Sequence, residues 1–326
     1  MATNPMEYLW PGVIAAQAIY VAARLRVPDL LASGAKTAAE LAAECGADAG
    51  ALERLLRALA TLEIFAPMPD GRFRNTPLTD LLRSDHPQRL RDGALLLPAA
   101  FLWRPLGELY ESVRTGEPAF QKVFGQRFFA YLAAHPAEAA VFNAAMTQGI
   151  AWTSSALLAA YDFSRFERLV DVGGGEGALL RDILAATPRL RGVLFDLPAV
   201  VARAGGTLTG EIAARCEITG GDFFDSVPAG AEAYLLKGVL HDWPDDDAAR
   251  ILRNVRCAIR PDGTLLLIET VDSDTRPAGL GDLLMLVIGG RDRRETEFRA
   301  LVDATGFALT RIIRTEASSV IECHPV

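Results

Sequence analysis

The chain is poor in the residues that staple or metallate a fold. Its cysteines, Cys45, Cys216, Cys257 and Cys323, are scattered and form no C-x-x-C pair. That spacing excludes a zinc knuckle and offers no disulfide framework, so reduced thiols and a cytoplasmic location are expected. The histidines, His86, His135, His241 and His324, also lack ligand spacing, and no metal is expected. No basic segment leads into an apolar block and a small-residue cleavage site, so no targeting signal is read. The stretch from Val13 to Ala23 is apolar, but Gln17 interrupts it and Arg24 ends it. It is too short to span a bilayer, and a packed helix without a membrane partner is expected. Positive charge is in deficit: 33 Lys and Arg against 41 Asp and Glu give a net charge of −8. A nucleic-acid surface needs a concentrated positive field, so no nucleic-acid partner is expected. Internal repeats and low-complexity tracts are absent.

Half of the 326 residues are hydrophobic, enough core for two ordinary domains or three small ones. The first half reads as helical. Thr37-Ala-Ala-Glu40 is a capping box, and Gly46 can end the helix it starts. Leu52, Leu55, Leu56 and Leu59 mark one face of a second helix. Asp70-Gly71 between two short runs predicts a hairpin turn, and Thr76-Pro77 starts another helix. Helix, helix, hairpin is a winged-helix order. The helix that would enter a DNA groove carries "ADAGALERLLRALA", without Asn, Gln or Lys to read bases. A structural or dimer-forming module is therefore favoured over a DNA reader. From Asp92 to Tyr161 the chain stays helical and rich in aromatics, among them Phe101, Trp103, Phe120, Phe124, Phe128, Phe129, Phe142 and Trp152. Most should be core, and some should line a pocket for a flat apolar ligand.

From about residue 165 the rhythm changes. "RLVDV", "GVLFD", "CEITG", "AYLLK" and "TLLLIET" are short apolar runs with helical segments between them. This βα alternation predicts a parallel sheet with helices on both faces. The last stretch reads as two strands joined near Thr315–Ser318, an antiparallel hairpin.

"LVDVGGGEG", residues 169–177, places a glycine-rich turn after the first strand, where backbone approaches a ligand at a helix N-terminus. Gly173-x-Gly175-x-x-Ala178 satisfies a loose dinucleotide pattern. Asp171 lies just before it, and a carboxylate there suits a cationic ligand better than a pyrophosphate. Asp196 in "FDLP" and Asp222 in "GDFF" end two further strands. An acid after the second strand can hold ribose hydroxyls, and one after the third an adenine amino group. S-adenosylmethionine, which carries a sulfonium and no phosphate, fits this pattern better than a nicotinamide dinucleotide.

In order, "LVDVGGGEG", "FDLP", "GDFF", "LLKGVLHDWPDDDAARIL", "LLIET" and "GGRDRRETEF" occur along the chain. Together they resemble the class I, small-molecule O-methyltransferases, the family of caffeic-acid-type plant enzymes and bacterial natural-product enzymes. The resemblance implies an α/β fold: a Rossmann-like methyltransferase sheet with a C-terminal antiparallel hairpin, preceded by a mainly helical, winged-helix-like dimerisation domain. It divides the chain into a dimerisation domain over 1–100, a helical linker and acceptor-pocket lid over 101–160, and a cofactor-binding catalytic domain over 161–326. It also implies a homodimer.

Carried over residue by residue, Asp171, Gly173 and Gly175 would hold the methionine part of S-adenosylmethionine. Asp196 would take the ribose, with Leu197 beside the adenine. Asp222, Phe223 and Lys237 would complete that pocket. His241 matches the general base, flanked by Glu269 and Glu295. Phe142, Met146, Asp242 and Met285 would face the acceptor. The chain reads Arg293-Arg294-Glu295 where the family usually reads Arg-Thr-Glu.

His241 also has a good address without the family. It follows the run "AYLLKGVL", and Pro244 with three aspartates opens the next helix. That is the carboxyl end of a parallel strand, where ligands bind in such sheets. A phenol has a pKa of about 10 and a histidine about 6.5, a deficit near 5 kcal/mol for complete proton transfer. Removing the proton as the methyl group is attacked, and placing carboxylates beside the imidazole, both narrow that gap. Glu269 ends the fifth strand run and should lie close. The expected activity is methyl transfer to a hydroxyl of a small phenolic metabolite in secondary or antibiotic metabolism. The alternatives are N-methylation, a member that has lost methyl transfer, and a ligand-sensing winged-helix transcription regulator.

Overall fold

The computed structural model describes residues 4–148, 150–273, 277, 279–316 and 318–326. It has two compact units, Met1–Arg104 with Ala137–Gln148, and Pro105–Pro136 with Gly149–Val326. The stretch 101–160 is therefore shared between them, with 137–148 in the helical unit.

In the helical unit the capping box forms as read. The Thr37 hydroxyl accepts the Glu40 amide, the Glu40 carboxylate accepts the Thr37 amide, and Gly46 at φ 70° ends the helix Ala38–Cys45. Asp48 caps the next helix, Ala49–Ala60, by accepting the Ala51 amide. Leu52, Leu56 and Leu59 of that helix join Leu41 and Phe65 in a small core. Strands Phe65–Pro67 and Arg72–Asn75 form the wing, with Lys36–Thr37 on the far edge of the second strand. The first helix, Met6–Arg24, buries only its end: Ala22 and Ala23 are fully covered, while Leu9, Trp10, Val13 and Ile14 are exposed. A contiguous apolar face of this kind marks an association surface.

The second unit is built on a seven-stranded sheet. Its strands are β1 Arg168–Val172, β2 Arg191–Asp196, β3 Cys216–Gly220, β4 Ala233–Lys237, β5 Thr264–Glu269, β6 Phe307–Arg314 and β7 Ser319–Pro325. The spatial order is β6-β7-β5-β4-β1-β2-β3. The first five strands run parallel, and β7 pairs antiparallel with both β5 and β6, the expected hairpin.

Side chains alternate between two buried faces because the strand period is two. Val170, Tyr234, Leu236, Leu265 and Leu267 go to one core. Leu169, Leu235, Leu266 and Ile268 go to the other. Ile251, Leu252 and Val255 of the helix Asp245–Ala258 cover the first face. Leu180, Ile183 and Leu184 of the helix Ala178–Ala186 cover the second. The chain reverses its winding between β1 and β4, which opens a crevice at the carboxyl edge of the sheet.

Of the aromatic residues read as core, Phe120, Phe124 and Phe128 form one cluster together with Tyr131, with ring centroids 4.7 to 5.4 Å apart. Trp152 lies outside the described side chains. No described helix is long and apolar enough to cross a membrane.

Leu266 is fully buried in the middle of β5. Leu266→Ala should lower stability by roughly 2–5 kcal/mol. The urea midpoint of the sheet unit's transition should fall accordingly; an unchanged midpoint would contradict this packing.

Candidate active site

The sheet's carboxyl edge gathers a glycine turn, a row of acids and one imidazole. β1 ends into Gly173 and Gly175, at φ 71° and 61°, conformations that other residues adopt only under strain. A Cβ on Gly174 would stand 2.6 Å from the Asp171 carboxylate, so the turn lies directly against that acid. Asp171 is buried, and its Oδ2 has no hydrogen-bond partner. Burial first, then the neighbouring Asp196, push its carboxyl up to about 7, against the pull of Lys237. A buried, partnerless carboxyl oxygen beside exposed backbone fits a cationic ligand. The α-amino group of S-adenosylmethionine is such a cation.

Asp196 ends β2 and accepts the amides of Gly175 at 2.8 Å and Leu197 at 2.7 Å. Burial raises its pKa, and those two amides oppose the rise. Leu197 is 39% exposed, free to cover a flat ring. Asp222 accepts the Phe224 amide at 2.8 Å. Phe223 and Phe224 meet Trp243 edge-on at 6.0 and 4.7 Å, and Phe129 stacks on Trp243 at 5.1 Å. Lys237 ends β4. Burial lowers its pKa, and Glu269, Asp242 and Asp171 raise it.

Beyond Lys237 the chain turns sharply at Gly238, φ 62°, into the short 3-10 segment Leu240–Asp242. Lys237 pairs in register with Ile268, so the ends of β4 and β5 are adjacent. Glu269 is thereby delivered under the turn. Its Oε1 accepts the Val239 and Leu240 amides at 3.1 and 2.8 Å, and its Oε2 contacts His241 Nδ1 at 2.7 Å. Burial resists ionisation of Glu269, but the His241 ring and the Leu240 amide hold its pKa below the usual carboxylate value. With Nδ1 committed to the carboxylate as a donor, Nε2 is the nitrogen left for proton exchange.

Burial also works against charge on His241, but Glu269, Asp242 and Asp292 outweigh it and lift the ring to about 10. Asp242 Oδ1 lies 3.5 Å from Nε2. Burial pushes the carboxyls of Asp242 and Asp292 up to about 6, while the His241 charge pulls both down.

One expected residue is elsewhere. Glu295 opens the helix Glu295–Asp303, is about half exposed, and pairs with Arg299 at 3.3 Å and Arg314 at 4.0 Å. In its place Asp292 adds to the stronger pull of Glu269 and Asp242 on the His241 charge. The cause is a close approach two residues before Asp292. Gly290 lies against the His241 carbonyl, where a Cβ would collide, and the Arg291 amide donates to that carbonyl at 2.7 Å. By residue 295 the chain has turned out into its helix. The sequence did hold a signal: an acid directly after Gly289-Gly290-Arg291, in the motif already noted. Asp282 was also missed; it accepts the Asp292 amide at 2.7 Å and so fixes that segment.

Met285, half-buried, belongs to the helix Leu280–Ile288, and its carbonyl caps the chain at Gly289 and Gly290. Phe142, half-buried, and Met146, 45% exposed, lie on the helix Pro136–Gln148, in the stretch grouped with the helical unit.

Fold and site define a class: a doubly wound α/β enzyme with an acid-rimmed crevice for a phosphate-free cationic cofactor and a carboxylate-held imidazole, the makings of a small-molecule methyltransferase. Comparison makes this specific. A family model described as an O-methyltransferase domain matches residues 105–308, and one described as an O-methyltransferase dimerisation domain matches residues 8–85. A phenazine O-methyltransferase from Lysobacter antibioticus is 41% identical, over 97% of this chain and 94% of the relative. A mitomycin biosynthesis 6-O-methyltransferase from Streptomyces lavendulae is 42% identical, over 98% and 93%. The crystal structure of an O-methyltransferase from neocarzinostatin biosynthesis, in complex with S-adenosylmethionine and 2-hydroxy-5-methyl naphthoic acid, superposes with a TM-score of 0.85. It is 35% identical, and 96% of each chain is covered. The chain belongs to the S-adenosylmethionine-dependent O-methyltransferase family.

A carboxyl near pH 7 beside a bound cation must lose its proton. Cofactor affinity should therefore rise with pH up to about 7, and binding at pH 7 should release up to about half a proton. Calorimetry in buffers of different ionisation enthalpy reads this directly. The component should vanish in Asp171→Asn; a proton count unchanged by that substitution would place the cation elsewhere.

Proposed function

We propose that the protein methylates a hydroxyl of a flat, small aromatic metabolite, with His241 as general base. One observation carries the reading: His241 Nδ1 is tied to the buried Glu269 at 2.7 Å, at the edge of the sheet that also carries the glycine turn. Asp171, Gly173 and Gly175 hold the methionine part of the cofactor, Asp196 the ribose, and Leu197, Asp222, Phe223 and Lys237 its adenine end. S-adenosylmethionine supplies the electrophile, a methyl group on a positively charged sulfur.

The residues account for the proton. An ordinary imidazole is weaker than phenolate by about 3.5 pKa units, near 5 kcal/mol. The carboxylates around His241 lift it to about 10, which closes that gap almost completely. A neutral phenol facing a neutral ring and a phenolate facing an imidazolium carry the same number of protons. With matched basicities the two arrangements are close in free energy; a ring with that pKa is protonated at neutral pH, so the pair must first release one proton to solvent, and turnover should rise with pH through the neutral range. Asp242, close to Nε2, and Met285 are the residues of the sheet unit proposed to touch the acceptor; a methionine adapts to variable aromatic shapes.

Phenazine and naphthoic acid, named for two relatives, are flat aromatic systems, which supports this acceptor class and a role in natural-product biosynthesis. The dimerisation-domain match and the exposed apolar face of the helix Met6–Arg24 support a homodimer. The four free cysteines support a cytoplasmic setting.

A panel of phenols and anilines with methyl-labelled cofactor tests the reaction, and label on oxygen is expected. In His241→Ala turnover should fall about 10²- to 10⁴-fold, with cofactor affinity held within a few-fold. Undiminished turnover would remove His241 as base, and label found only on nitrogen would overturn the acceptor class.

A further inference from the structure

We infer that Arg293 is a positioning residue for His241: its guanidinium fastens the turn that carries the imidazole, and this fastening keeps the ring seated on Glu269. The inference rests on His241 being the base.

Arg293 is 1% exposed, one of the largest fully buried side chains of the protein. A buried guanidinium is unfavourable unless every donor finds an acceptor. Here the acceptors are the turn itself. Nη1 donates to the Leu240 carbonyl at 2.6 Å and Nη2 to the Trp243 carbonyl at 2.7 Å, the carbonyls on either side of His241-Asp242. Nε and Nη2 both reach Asp245 Oδ1, at 2.9 and 2.8 Å, which fixes the plane of the fork.

The same segment supplies the Arg291 amide to the His241 carbonyl. From the opposite side, Glu269 takes the amides of Val239 and Leu240. Backbone donors and acceptors from Val239 to Trp243 are thus gripped between two pieces of chain. Those pieces are themselves joined, because Arg293 pairs in register with Val271, two residues past Glu269. A planar fork meets two carbonyls three residues apart; a lysine ammonium presents its donors from one point and cannot span them. A loosened turn would let the ring drift from Glu269, and a misplacement of about 1 Å costs about 10²-fold in rate.

Arg293→Lys keeps the charge and leaves Glu269, Asp242, Asp292 and Lys237 in place, so a change at His241 reports geometry. The test is a titration of the ¹⁵N-labelled His241 ring by NMR in the full-length protein, alongside methyl-transfer kinetics. The titration midpoint should drop by one pH unit or more towards the ordinary histidine value. With an acceptor from the phenol panel, kcat should fall about 10²-fold, with the KM for cofactor changing only a few-fold. Asp245→Asn, which frees the fork at a more exposed partner, should move both readouts the same way by less. It decides the matter if Arg293→Lys does not fold. A folded variant in which His241 titrates as in the parent overturns the proposal and leaves Arg293 a packing residue. Failure of the base assignment itself would be seen separately, as activity retained in His241→Ala.

Discussion

Much of the site hangs on one buried carboxylate. Glu269 closes the strand run "TLLLIE", whose other members are buried and, Thr264 apart, apolar. In that environment the charge is stabilised by what Glu269 gathers: two backbone amides, the His241 ring and the nearby Lys237. Desolvation makes each contact stronger than it would be in water, and makes a missing one costly. The turn and the ring are therefore bound to each other through the same side chain. The parallel pairing of β4 with β5 puts that carboxylate where the next strand's exit loop must pass.

The crevice has a consistent electrostatic character. The cations that act there on Asp171, Asp242, Asp292 and Glu269 are Lys237 and His241. Burial holds the carboxyls of Asp171, Asp242 and Asp292 above their ordinary range, so the region is short of positive charge. A ligand bringing a cation relieves this, whereas a pyrophosphate would aggravate it. The glycine pattern of the first turn is shared with dinucleotide-binding folds; the acids separate the two cases.

The parts of this account that were legible in the sequence are those with local causes. The caps at Thr37 and Thr76, the leucine face of Ala49–Ala60, the βα alternation and the closing hairpin follow from periodicity and turn chemistry alone. Asp171 and Asp196 were legible because strand ends place them. His241 and Glu269 were legible because adjacent parallel strands end side by side. Glu295 was misplaced and Asp292 overlooked for one reason: three residues decide which acid reaches the ring. That depends on Gly290 passing under the His241 carbonyl, a tertiary contact with no periodic signature. Arg293 was hidden for the same reason. In the sequence it is one of two adjacent arginines, and only the fold buries one and leaves the other at the surface.

In the proposed reaction, carboxylates make this imidazole a base as strong as the phenolate it must generate. This is tested most directly on the unmodified protein by the protonation state of the His241 ring across pH. The ring should still be charged at pH 8, with a midpoint near 10. A midpoint at the ordinary histidine value of about 6.5 would mean that Glu269 does not hold the ring in solution, and the account of the base would be wrong.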